Sequence, residues 1–175
     1  MTADLETIHL PRPSSKYFGS YPLHFERKIP KWLGTNNFIH LFSGSAKTGI
    51  RIDIKFENKP DIVADVHHLP FRDNSFDGGI ADPPYDLRDG IKKEDLYQTG
   101  PLKEKLWSSE LKRVVKPNCR IAVLHYYPII FPNCKAVRYV AVIRRVRSFL
   151  SCLSIMSNIK HKQIPITNTM DCESK

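Results

Sequence analysis

The sequence lacks the marks of several protein classes. Its four cysteines, Cys119, Cys134, Cys152 and Cys172, stand far apart with no CxxC pair. That spacing speaks against a zinc site and offers no disulfide framework, so ordinary reduced thiols are expected. No apolar run approaches the length that spans a bilayer, and the opening stretch MTADLETIHLPRPSSKYFG has no apolar segment of signal-peptide type. A soluble, cytoplasmic protein without membrane contact is therefore expected. His67 and His68 adjoin each other without a matching ligand set, so no metal is expected, and no internal repeat is visible. Acid is scarce in the C-terminal part: residues 101–175 hold 14 Lys and Arg against 4 Asp and Glu, whereas residues 1–100 hold 13 against 14. The net charge of +9 thus belongs to the C-terminal part. Clustered cations gain affinity for phosphates by displacing condensed counterions, which points to a nucleic-acid partner, DNA or RNA; the alternative is a solvated basic face.

What is present suits one folded domain. At 41% hydrophobic, the 175 residues can bury a single sizeable core. Residues 1–34 are expected as an N-terminal arm and a short helix over YPLHFERKIPKWL (21–33), with Pro30 as an interruption. Residues 35–160 form the expected α/β domain, and 161–175 a flexible tail. Short apolar runs bounded by turn residues predict strands at FIHLF (38–42), GIRIDI (49–54), DIVADV (61–66) and FDGGIAD (76–82). LKEKLWSSELKRVVKP (102–117) reads as an amphipathic helix stopped by Pro117. RIAVLHYYP (120–128) returns as a strand, and AVRYVAVIRRV with FLSCLSIM predicts a closing antiparallel hairpin.

An open α/β sheet binds ligands beyond the carboxyl ends of its strands, where strand order reverses. There the first strand runs into FSGSAKTG (42–49), small residues that let backbone approach a ligand, or an ordinary tight loop. The second strand ends at Asp53, the third contains Asp65, and the fourth delivers Asp82 into Pro83 and Pro84. Three acids at matching strand ends suggest a shared nucleoside-type pocket.

The run ADVHHLPFRDNSFDGGIADPPYD (64–86) resembles class I S-adenosylmethionine-dependent methyltransferases of the Asp-Pro-Pro-Tyr type, which modify exocyclic nitrogens of DNA or RNA bases. It is particularly similar to tRNA guanine N2-methyltransferases. The resemblance covers residues 38–86 well and 87–128 loosely. It implies a compact Rossmann-like sheet with S-adenosyl-L-methionine as cofactor. The loop Phe42, Ser43, Gly44, Ser45 would lie along its methionine end, Asp53 would bind its ribose, Asp65 and the backbone of Val66 would read its adenine, and Asp82 would adjoin it. Asp82, Pro83, Pro84 and Tyr85 would receive the base. The sequence departs from the family in keeping only Gly44 of the glycine signature and in leaving only residues 43–49 between the first two strands. That gap cannot hold the usual crossover helix. Either the connection is an extended crossover, which keeps the cofactor loop, or the strands pair antiparallel, which removes the assignment of Asp53.

The chemistry explains the motif. An exocyclic amine is a poor nucleophile because its lone pair is delocalised into the ring. Acceptors fixed on its two N–H groups, the Asp82 carboxylate and the following carbonyl, favour a pyramidal nitrogen. Prolines suit the position: φ is fixed and no N–H competes. Tyr85 would stack on the base. HYYP (125–128) either lines the substrate side or supplies rim aromatics; IRRVR (143–147) is a phosphate-contacting stripe or a solvated face; Asp73 and Asp77 read as turn and cap residues. Two alternatives stand beside the base methyltransferase: a catalytically reduced nucleic-acid- or partner-binding module, and a methyltransferase acting on a protein amide or small-molecule amine.

Overall fold

The structure, a computed structural model, describes residues 2–13, 20–84, 101–144 and 150–159. Its eight described strands are β1 (Asp4–Leu10), β2 (Ile39–Leu41), β3 (Ile50–Asp53), β4 (Ile62–Val63), β5 (Phe76–Ala81), β6 (Val115–His125), β7 (Cys134–Arg144) and β8 (Leu150–Asn158). Among the described residues two α-helices accompany them, α1 (Ile29–Leu33) and α2 (Glu104–Val114), with 3-10 turns at Glu26–Lys28 and Phe56–Asn58. All strands join one sheet in the order β1-β7-β8-β6-β5-β2-β3-β4. Among the described strands only β8 runs against its neighbours, pairing antiparallel with both β6 and β7. The expected hairpin is therefore present, but its second strand inserts between β6 and β7.

β2 and β3 pair parallel, with Ile39 opposite Ile50 and Leu41 opposite Ile52. This selects the extended crossover and discards the antiparallel alternative. β4 is shorter than DIVADV suggests, so Asp65 lies beyond the strand, in the turn that follows. Residues 4–10, expected as arm, form an edge strand parallel to β7. Two ion pairs fasten it there, from Arg138 to Asp4 (3.3 Å) and to Glu6 (3.1 Å).

Alternation along the central strands sorts side chains onto two faces. Ile39, Leu41, Ile121 and Val123 point to one face, where Trp107, Leu111 and Val114 of α2 cover them. Phe38, Ile80, Ala122 and Leu124 point to the other, under Phe25, Ile29, Trp32 and Leu33. The adjacent glycines of β5 let both layers settle. A Cβ on Gly79 would stand 2.7 Å from Leu111 Cδ1, and one on Gly78 would stand 3.0 Å from the methyl of Thr35 and 3.4 Å from Leu33 Cβ.

Local chemistry sets the helix limits. Pro30 occupies the first turn of α1 and opens the α-helix instead of interrupting it, since its missing N–H is not needed there. Gly34 closes α1 in the left-handed conformation (φ 77°), donating its N–H to the Pro30 carbonyl at 2.8 Å. α2 ends at Val114, before the reach of Pro117, which disfavours helical backbone at the residue preceding it.

Candidate active site

β3 and β4 lie on one side of β2, and β5 and β6 on the other. Strand order therefore reverses between β2 and β5, whose carboxyl ends form the crevice where ligands sit in such sheets. Leu41 is level with both Ile52 and Ala81, and Ala81 with Val123. Asp53, Phe42 and Asp82 each come one residue after these level positions, Asp53 as the last residue of β3 and Phe42 and Asp82 just past the ends of β2 and β5. Asp53 and Asp82 thus stand at the ends of the two strands that flank β2.

The first connection enters this crevice under strain and is held by hydrogen bonds. Phe42 turns the chain at φ 54°, a left-handed conformation unfavourable for an aromatic residue, and sets its ring edge-on to Trp107 at 5.5 Å. Ser43 donates its N–H to the Ile52 carbonyl (3.1 Å). Its hydroxyl is buried and finds no hydrogen-bond partner among the described residues. Gly44 (φ 49°) donates its N–H to Asp53 Oδ2 at 2.8 Å, while Asp53 Oδ1 accepts from the Lys55 N–H at 2.9 Å. Each oxygen of that buried carboxylate keeps acceptor capacity beyond its single amide.

The other predicted residues occupy distinct positions. Asp65 is about half exposed, and its Oδ1 accepts from the His67 N–H (2.9 Å) and faces His67 Nδ1 (2.7 Å). His67 Nε2 in turn accepts from the Lys103 N–H at the entry to α2 (3.0 Å). Val66 buries its side chain in the core, which leaves only its backbone for a ligand. Asp82 is half-buried, Pro83 buried and Pro84 half-buried at the end of β5. Tyr85, Arg145, Val146, Arg147 and the tail lie outside the described residues. Asp73 lies in the turn before β5 and pairs with Arg113 (2.9 Å), whereas Asp77, expected as a turn or cap residue, lies within β5 and pairs with Lys116 (2.6 Å).

The motif LPFRD is clamped from α2. Glu110 accepts from the Leu69 N–H (2.8 Å), and Arg113 donates to the carbonyls of Leu69 (3.1 Å) and Phe71 (2.7 Å) while pairing with Glu110 (2.7 Å). The Arg113 guanidinium holds the Glu110 carboxyl below its ordinary range. Several cations of the basic C-terminal part, Arg113, Lys116 and Arg138, are thus paired with acids of the N-terminal part.

His40, fully buried in β2, had no role in the sequence reading. Its Nδ1 meets the Thr48 carbonyl at 2.9 Å and its Nε2 the Tyr21 hydroxyl at 2.9 Å, so the ring donates to the carbonyl and accepts from the phenol. Burial, the dominant cause, keeps the imidazole below its usual pKa. Glu26 Oε2 accepts from the Lys47 N–H (2.6 Å) and the Thr48 hydroxyl (3.1 Å), and Ser20 bonds Ser45 (3.1 Å). The segment around 20–26 therefore braces the helix-less crossover. The available signal was a polar residue at an inward position of FIHLF, which requires partners for both ring nitrogens.

Sheet order, the single reversed strand and this crevice define a class I methyltransferase-like α/β fold. Neither a family model nor a curated protein matches the sequence. Solved structures do match. TrmN from Thermus thermophilus aligns with 80% of the chain at TM-score 0.55 and 15% identity, and the chain spans about half (50%) of that protein's length. A SAM-dependent methyltransferase from Methanosarcina mazei aligns with 81% of the chain and is itself 99% covered, at TM-score 0.53 and 14% identity. A chain from the complex containing the Haloferax volcanii Trm112 methyltransferase activator aligns with 79% and is 91% covered, at TM-score 0.52 and 14% identity.

Proposed function

We propose that this protein is an S-adenosylmethionine-dependent methyltransferase that transfers a methyl group to an exocyclic amino nitrogen of a nucleic-acid base. The observation that carries the proposal is that Asp53, Phe42 and Asp82 each follow directly on the level residues Ile52, Leu41 and Ala81 at the point of strand reversal. The residues fit the cofactor: a buried Ser43 hydroxyl without a partner among the described residues, and an Asp53 carboxylate with acceptor capacity left for a ribose. Asp65, exposed at the rim beyond β4, is available to a purine edge. The bound cofactor supplies a methyl group on a positively charged sulfur.

The chain's own part is orientation. Asp82 accepts an N–H of the amine, and Pro83 and Pro84, lacking N–H groups, present only acceptors to it. Such preorganised acceptors contribute by stabilising charge that develops on the nitrogen. Tyr85, by the resemblance, stacks on the base. Titration calorimetry with S-adenosylmethionine, and mass spectrometry of nucleosides from cells with and without the protein, test the proposal. Asp82→Ala is expected to reduce transfer by about 100-fold or more with an unchanged circular dichroism spectrum; undiminished transfer rejects the mechanism.

A second reading, a catalytically reduced binding module, is favoured by one feature. The Gly44 amide, which a glycine loop would offer to a ligand, is already bonded to Asp53. Absence of cofactor binding in the calorimetry, with nucleic-acid binding retained, selects it.

A further inference from the structure

The aromatic residues that end β6 have no part in the mechanism above. His125 closes the ladder opposite Cys152, and Tyr126 and Tyr127 follow it. Ala81, the residue before Asp82, is level with Val123 on the adjoining strand, two residues before His125. Tyr126 is 53% exposed and Tyr127 45%. The three rings touch one another: His125 to Tyr126 at 4.3 Å with planes 32° apart, His125 to Tyr127 at 4.1 Å and 65°, and Tyr126 to Tyr127 at 4.8 Å and 88°.

We infer that Tyr126 and Tyr127, set on His125, form a stacking corner for an unpaired nucleic-acid base next to Asp82. The inference rests on the methyltransferase proposal for the identity of the site but carries its own test. Perpendicular phenol rings make a floor and a wall: a flat heterocycle laid on one meets the other edge to face, both favoured aromatic arrangements. A base fits this geometry better than an aliphatic side chain, which gains nothing from ring orientation. Tyr127 also lies within electrostatic reach of Glu104, with Lys103 and Lys105 exposed on either side of that residue at the start of α2.

The test uses the full chain and a short fluorescently labelled single-stranded oligonucleotide of mixed sequence, as RNA and as DNA, read by anisotropy. Tyr126→Ala and Tyr127→Ala should each weaken binding roughly five- to a hundredfold. Tyr126→Phe and Tyr127→Phe should bind within about twofold of the parent chain. The ratio of variant to parent affinity should hold across salt concentrations, because stacking releases no counterions. Affinity for S-adenosylmethionine should not change. Alanine variants that bind as tightly as the parent, a ratio that collapses at high salt, or a parent chain that binds no oligonucleotide would overturn the inference. A parent chain that stacks the oligonucleotide but ignores S-adenosylmethionine instead sinks the methyltransferase proposal and leaves the corner standing.

Discussion

Two parallel connections meet at the candidate site, and they are covered in different ways. Between β5 and β6 the chain supplies its own helix, α2, which buries Trp107 and Leu111 on the sheet and clamps the LPFRD loop through Glu110 and Arg113. Between β2 and β3 it supplies none, and residues 42–49 cross without a helix, held by hydrogen bonds and by the packing of Phe42 and Ala46. Coverage there comes from another part of the chain: Tyr21, Phe25 and α1 occupy the face, and Glu26 satisfies the crossover's backbone. What a parallel crossover requires is a covered face and bonded backbone groups, and residues distant in sequence can provide both.

Mutations can break or sharpen this contrast. The largest effect is expected on the α2 side, where Trp107→Ala removes a fully buried ring and should cost about 3–5 kcal/mol in denaturant unfolding. On the crossover side the cost is polar. Tyr21→Phe leaves a buried His40 nitrogen unpaired and should cost about 1–3 kcal/mol, whereas the same hydroxyl loss at exposed Tyr126 should change little. A Tyr21→Phe protein as stable as its parent would show that the brace is incidental.

The His40 side should also respond to acid. Its folded pKa lies below that of the unfolded chain, so below about pH 6.5 the unfolded state binds the extra proton. Stability should fall as pH drops from about 6.5 towards the folded value, by up to about 1.4 kcal/mol per pH unit for this group. His40→Gln should flatten that part of the curve, measured as unfolding midpoint against pH; an unchanged slope would show that His40 is not the titrating group. The smallest effect belongs to the edge strand. Asp4→Asn, breaking an exposed pair with Arg138, should shift stability by less than about 1 kcal/mol, with the shift vanishing in high salt.

Much of the site could be read without coordinates because strand ends are marked locally. FIHLF is closed at the sheet border by Ser43 and Gly44 and the run ending at Asp82 by Pro83, whereas GIRIDI is marked by the acid Asp53 itself. DIVADV reads as a strand because it is a short apolar run, which puts Asp65 inside it, yet β4 stops at Val63 and the Asp65 side chain bonds its own turn instead. The basic C-terminal part was read for charge alone. Sequence could not show that Arg113, Lys116 and Arg138 pair with acids many residues away.

The sequence by itself determined that strands lie near 38–42, 49–54, 76–82 and 120–128, that α2 is amphipathic, and that acids stand at the ends of the runs leading to Asp53 and Asp82. These properties follow from periodicity and turn chemistry over a few neighbouring residues. Only the tertiary structure decided that β2 and β3 run parallel without a helix, that β1 and β8 enter the sheet where they do, and that residues near 20–26 brace the crossover. Pairing partners and face coverage depend on which distant surfaces meet, and burial of the whole sheet settles that choice.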